Sequence, residues 1–281
     1  MIKKVGVVGA GTMGSGIAQV FASHGFEVRL NDLNMDFLLS AKGKIRKSLE
    51  KLKSKGKLSE PSSEILSRIE LKDNLIELAE CDFIIEAATE DLKIKRELVK
   101  NIDSISSQNC IMATNTSALS ITELAMLTSN PDKFIGMHFF NPAPIMKLVE
   151  VVKGMPTSDE TFNLIVDLAK ILGKQPVSVN EAPGFIVNRI LIPMINEAIE
   201  ILKDGVASKE DIDAAMKLGA GHPMGPLQLA DLIGLDVVLS IMETLYSESG
   251  DPKYRPSILL KKYVRANLLG RKTKRGFYEY N

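Results

Sequence analysis

Gly9-Ala10-Gly11-Thr12-Met13-Gly14 decides the fold. The apolar run Val5 to Val8 precedes it, and Ser15 to Ser23 follows with Ile17, Val20 and Phe21 at helical spacing. Gly25 closes that segment, and Phe26 to Leu30 reads as a second strand ending at Asn31-Asp32. Strand, glycine-rich turn, helix and strand within one short stretch make a βαβ unit of the kind that binds dinucleotides. Each glycine has a task. Gly9 makes the tight turn, Gly11 lets backbone approach a pyrophosphate, and Gly14 lets helix and strand pack closely. The helix N-terminus offers N–H groups and a positive dipole end to phosphate. Gly9, Gly11, Thr12, Met13 and Gly14 are therefore the expected cofactor loop.

Asp32 lies 18 residues past Gly14, where a carboxylate binds a ribose 2′-hydroxyl and repels a 2′-phosphate. NAD is the expected cofactor. Neighbouring residues can reverse that preference, so NADP stays open, as does a Rossmann-like fold holding a flavin or no dinucleotide.

Outward from this unit, residues 36 to 80 read as helical and highly charged, carrying Lys42, Lys44, Arg46, Lys47, Lys51, Lys53, Lys55 and Lys57. A helical hairpin over about 38–78, broken near Gly56 and Pro61, is expected. Strands are expected at 82–88, 111–114, 133–140, 147–152 and 176–179, with helices at 90–102, 120–127 and 161–172. Beyond Pro183 only helices are legible: 185–203 with Pro193 inside it, 209–218, 226–243 and 258–267. Alternating β and α followed by helices alone predicts two domains. They are a Rossmann-like dinucleotide-binding domain over 1–182 and an all-α domain over 183–281, joined at Asn180 to Gly184. The fold class is α/β with an all-α C-terminal domain.

The formal net charge is zero, which gives no general attraction to nucleic acid or membrane. Cys81 and Cys110 make neither a disulfide framework nor a C-x-x-C zinc pair, so no metal is expected. The opening apolar run is too short for a signal peptide, and no stretch reaches the ~20 apolar residues of a membrane span. A cytoplasmic protein is expected.

Three histidines could do proton chemistry. His24 ends the first helix and His222 sits in a glycine- and proline-rich turn, both readily structural. His138 lies in the apolar strand Phe134-Ile135-Gly136-Met137-His138-Phe139-Phe140. The turn Asn141-Pro142-Ala143-Pro144 and the run from Lys147 to Val152 follow. If the connection centres on Pro144, the strands are antiparallel and position 138 faces Glu150. Glu150 is otherwise a lone charge in an apolar run, costly to bury without a partner. A carboxylate at the ring fixes the tautomer and stabilises the imidazolium, as a general base needs. A purely structural His–Glu pair would look the same in sequence.

The chain resembles the 3-hydroxyacyl-CoA dehydrogenase family, in particular its bacterial 3-hydroxybutyryl-CoA members. The resemblance spans essentially the whole chain. It rests on the Gly9–Gly14 loop, Asn115-Thr116-Ser117, His138-Phe139-Phe140-Asn141-Pro142 with Glu150, Pro183-Gly184-Phe185-Ile186-Val187-Asn188-Arg189, and Gly225-Pro226. It implies NAD-dependent interconversion of (S)-3-hydroxybutanoyl-CoA and acetoacetyl-CoA. His138 would be the acid/base and Glu150 its support, with Ser117 and Asn188 orienting substrate and Ser117 also near the nicotinamide ribose. Glu90, Lys95, Asn141 and Lys274 match NAD-contacting positions. Ser48 and Lys55 match CoA-contacting ones, although Lys51 or Lys53 could serve in place of Lys55. It also implies an active site where the two domains meet, a hinge at Asn180 to Gly184, and a homodimer through the helical domain. Two other functions remain open on the residues. One is a related β-hydroxyacid dehydrogenase, which would want a cation for a free carboxylate. The other is a non-catalytic nucleotide sensor.

Overall fold

The computed structural model describes residues 2–280. Met1 and Asn281, the outer limits of the two expected domains, lie outside the described residues. The chain forms two compact units, Met1–Glu181 and Ala182–Asn281.

The first unit is built on one eight-stranded sheet. In chain order it contains β1 (Lys4–Val8), α1 (Thr12–Ser23), β2 (Glu27–Asn31), α2 (Met35–Lys53), α3 (Ser62–Ser67), β3 (Ile69–Lys72), β4 (Phe83–Glu86), α4 (Leu92–Ile105) and β5 (Ile111–Thr114). There follow α5 (Ile121–Ala125), β6 (Phe134–Phe139), β7 (Leu148–Lys153), α6 (Asp159–Ile171) and β8 (Gln175–Asn180). The strand order is β3-β2-β1-β4-β5-β6-β7-β8. Strands β1 to β6 pair in parallel. β7 turns back antiparallel to β6, and β8 runs parallel to β7. Crossovers lead from β1 toward β2 and β3 on one side and from β4 onward on the other. The switch point falls between β1 and β4, where open α/β sheets bind ligands beyond their carboxyl ends.

Local chemistry explains the elements. β4 (Phe-Ile-Ile-Glu) and β6 are buried throughout, as central parallel strands are. Helix α2 buries Leu38, Ala41, Ile45 and Leu49 at helical spacing and turns Lys44, Lys47, Lys51 and Lys53 outward. Asn34, Asp91, Ser120 and Ser158 each accept a backbone N–H at a helix start.

The expected α/β architecture with a helical second unit holds, and two element boundaries need correction. The hairpin expected over 38–78 stops at Ser67, and Ile69-Glu70-Leu71-Lys72 forms the edge strand β3 beside β2. Its two-residue alternation was hidden by the high charge of the segment. The helix expected over 226–243 is two helices, parted at Gly234, whose φ of 105° helical backbone does not allow.

The second unit holds α7 (Val187–Lys203), α8 (Lys209–Gly219), α9 (Pro226–Ile233), α10 (Leu235–Ser249) and α11 (Ile258–Arg265), with Pro193 inside α7. Ile195, Leu227, Leu235, Val238, Met242 and Leu260 make its core. Two buried carboxylates organise its backbone. Asp213 accepts the N–H groups of Leu227 (2.8 Å) and Gln228 (3.0 Å) at the start of α9, and the Tyr278 hydroxyl (2.8 Å). Asp231 accepts the N–H groups of Phe277 and Tyr278 (both 2.9 Å) and the Tyr280 hydroxyl (3.0 Å). Gly225 and Gly276 make room: a Cβ at either would lie 2.2 Å from Asp213 Cγ or 2.0 Å from Asp231 Oδ1. Among the described residues, no helix is long and apolar enough to cross a membrane.

Candidate active site

The glycine loop has the geometry its pattern requires. Gly9 has φ 102°, and a Cβ there would meet the Ala87 carbonyl oxygen at 2.8 Å. A Cβ on Gly14 would sit 1.7 Å from the Gly9 carbonyl oxygen, so helix and turn could not approach. At Gly11 a Cβ would meet nothing within 4 Å. Protein packing therefore does not demand glycine at Gly11, but a ligand lying against the backbone would. Gly11 caps α1 without a side-chain hydrogen bond, and no acidic residue stands in the first turn. That leaves the N–H groups and dipole end suited to phosphate. Thr12 is exposed and Met13 half-buried at the mouth of this turn. Asp32, just past β2, accepts the N–H of Ala10 at 2.7 Å and of Leu33 at 2.8 Å. The carboxylate expected to meet a ribose thus also ties the glycine turn to the end of β2. These residues fit a dinucleotide.

Across the switch point, the ends of β4 and β5 carry a bonded cluster. Glu86 is fully buried. It accepts Lys95 Nζ on both oxygens (2.7 and 2.8 Å), the Ala88 N–H (2.7 Å) and the Thr114 hydroxyl (2.8 Å). Lys95 is also buried and stands 3.5 Å from Glu90 Oε2. Glu90 Oε1 accepts the Thr116 hydroxyl (2.6 Å), the Ser117 N–H (2.7 Å) and the Ser117 hydroxyl (3.0 Å). Burial pushes the Glu90 carboxyl up, but the Lys95 ammonium and the Thr116 and Ser117 hydrogen bonds outweigh it. Glu90 ends below the usual carboxylate range. Glu90, Lys95 and Ser117, singled out separately in the sequence, are one unit. Glu86, Thr114 and Thr116 were not expected as members. Glu86 had a visible signal: like Glu150, it is a lone charge in an apolar run.

One strand further, His138 faces Glu150 in the β6–β7 register. His138 Nδ1 lies 2.7 Å from Glu150 Oε2, with His138 6% exposed and Glu150 fully buried. The Phe140 ring lies 4.5 Å from the imidazole, centroid to centroid. Asn115 Oδ1 accepts the Phe139 N–H at 2.8 Å, linking the Asn115–Ser117 turn to the strand that carries His138. Lys174 Nζ donates to the carbonyls of Ala143 and Met146, pinning the turn that brings β7 back. Asn141 is exposed just past β6.

Glycine loop, Glu90–Ser117 cluster and His138 all occupy the carboxyl edge of the parallel strands. Ser48 is half-buried on α2, while Lys51, Lys53 and Lys55 are exposed on or just after it. Asn188 is half-buried in the first turn of α7, and Lys274 is exposed with φ 61° near the C-terminus, both in the second unit.

The sequence pattern described as 3-hydroxyacyl-CoA dehydrogenase, NAD binding domain, matches residues 4–182. That described as 3-hydroxyacyl-CoA dehydrogenase, C-terminal domain, matches residues 184–280. The chain is 57% identical over 279 residues to a 3-hydroxybutyryl-CoA dehydrogenase of Clostridioides difficile, covering 99% of each chain. It is 45% identical over 288 residues to the mitochondrial hydroxyacyl-coenzyme A dehydrogenase of Sus scrofa, covering 100% of this chain and 92% of that one. The crystal structure of an (S)-3-hydroxybutyryl-CoA dehydrogenase from Ralstonia eutropha superposes with a TM-score of 0.96 at 50% identity, over 100% of both chains.

Proposed function

The chain belongs to the 3-hydroxyacyl-CoA dehydrogenase family and carries its NAD binding domain, and from that premise we propose that it interconverts (S)-3-hydroxybutanoyl-CoA and acetoacetyl-CoA. The observation that carries this reading is the buried His138–Glu150 pair, 2.7 Å apart at the carboxyl edge of a dinucleotide-binding sheet. Bound NAD supplies the hydride acceptor or donor. In oxidation, the substrate's C3 hydroxyl proton passes to His138 while the C3 hydrogen leaves with its electron pair and C3=O forms. Reduction reverses both transfers. Glu150 accepts the hydrogen bond from Nδ1–H, which keeps Nε2 basic, and its charge stabilises the imidazolium that forms. An unpaired carboxylate at that buried position would be costly, so the imidazole also satisfies Glu150.

The remaining assignments rest on the family resemblance. Ser117 and Asn188 orient the substrate. Gly9, Gly11, Thr12, Met13, Gly14, Asp32, Glu90, Lys95, Ser117, Asn141 and Lys274 serve the cofactor. Ser48 and Lys55 meet CoA, whose phosphates suit the basic end of α2. A homodimer forms through residues 183–281, a reading supported by Ile190, Leu218 and Ile258 at 68%, 88% and 66% exposure. The test is NADH oxidation by the purified protein. Acetoacetyl-CoA should be turned over rapidly and free acetoacetate poorly. Equal rates on both would point to a free-acid dehydrogenase, and no turnover with either would sink the assignment.

A further inference from the structure

We propose that the negative charge which the Glu86–Lys95–Glu90 cluster leaves on Glu90 shifts this site's NAD+/NADH affinity ratio toward the oxidised, positively charged nicotinamide. The inference rests on the NAD reading above and deepens it.

A doubly wound sheet binds the two halves of a dinucleotide on either side of its switch point. Asp32, at the end of β2, marks the adenosine half. The carboxyl ends of β4 and β5 therefore serve the nicotinamide half. Oxidised and reduced cofactor differ there by one positive charge on the ring, so any fixed charge on that edge discriminates between them.

The cluster at that edge holds two carboxylates and one ammonium. Lys95 is spent on Glu86, at 2.7 and 2.8 Å, and reaches Glu90 only at 3.5 Å. One negative charge is left over, and the geometry places it on Glu90. Glu86 and Lys95 are each 1% exposed at the side chain, whereas Glu90 is 40% exposed. The uncompensated member is thus the one a ligand can face. Three hydrogen bonds to Glu90 Oε1 fix its orientation and leave it little freedom to turn away. They also direct the Ser117 hydroxyl proton toward Glu90. Held this way at a partly desolvated edge, a fixed charge acts on a ligand charge more strongly than it would in bulk water.

The test is equilibrium binding of NAD+ and of NADH, each measured by titration calorimetry. Glu90→Gln keeps the shape, and a side chain this exposed tolerates the change. It should weaken NAD+ relative to NADH by about tenfold. Glu80→Gln removes one carboxylate charge ahead of the amino end of β4, away from the carboxyl edge and 68% exposed, so its NAD+/NADH ratio should stay near the parent's. Equal loss of both nucleotides in Glu90→Gln, or no change in either, overturns the proposal. So does a ratio shift in Glu80→Gln as large as that of Glu90→Gln. A parent protein that binds both nucleotides while Glu90→Gln moves them together sinks this inference alone. A parent that binds neither sinks the NAD reading and this inference with it.

Discussion

Both units bury carboxylates completely, but they bond them to different things. In the second unit, Asp213 and Asp231 are each 1% exposed and accept backbone N–H groups and tyrosine hydroxyls. In the first, Glu150 accepts from an imidazole and Glu86 from an ammonium, both at the ligand edge of the sheet. Backbone amides cannot change protonation near neutral pH, so a carboxylate buried against them and tyrosine hydroxyls, as Asp213 and Asp231 are, organises the chain around it. An imidazole can, so a carboxylate aimed at it sets how readily a proton is taken up. What a buried charge is bonded to, rather than its burial, separates scaffold from chemistry.

That contrast breaks if the two kinds of carboxylate respond alike to neutralisation. Glu150→Gln should lower turnover by about 10²-fold or more, because the imidazolium loses its charge partner. Its thermal midpoint should move less than that of Asp231→Asn. An active Glu150→Gln protein would make the pair structural. Asp231→Asn replaces one acceptor oxygen with an amide donor that faces one or two of the three donors held there, and should cost about 2–3 kcal/mol of stability. Thermal unfolding would show this as a lowered midpoint, with turnover of the folded protein nearly unchanged. A large loss of turnover at full stability would move Asp231 into the chemistry. The smallest effect concerns the thiols. Burial pushes Cys81 up to about 11 and Cys110 up to about 12. Both should resist alkylation at mildly alkaline pH until the protein unfolds, since the thiolate is the reactive form. Rapid labelling of the native protein would show that the amino ends of β4 and β5 open locally.

Much of this was legible in the sequence because the decisive features are local. The glycine loop, its helix and Asp32 follow from a short motif whose spacing is set by steric contacts inside one βαβ unit. The His138–Glu150 register followed from a short connection taken to centre on Pro144 and from one lone charge that needed a partner. Strand β3 was missed because an edge strand four residues long leaves too few positions for alternation to stand out against a charged segment. The break at Gly234 was missed because apolar periodicity runs through it, and only backbone φ separates the two helices. The Glu86–Lys95–Glu90 cluster joins the end of β4 to α4 and to the turn after β5. Such a grouping depends on which strands are neighbours, and neither periodicity nor motif spacing encodes that directly. The same holds for Asp213 and Asp231, whose partners lie up to 65 and 49 residues away.

The central claim is that His138 carries the proton, and one variant tests it most directly. His138→Gln should be assayed for acetoacetyl-CoA reduction under single-turnover conditions, with NADH binding measured on the same sample. The account predicts a loss of about 10²–10⁴-fold in the reduction rate with NADH affinity unchanged. A rate close to that of the parent protein, with the cofactor bound normally, would contradict it.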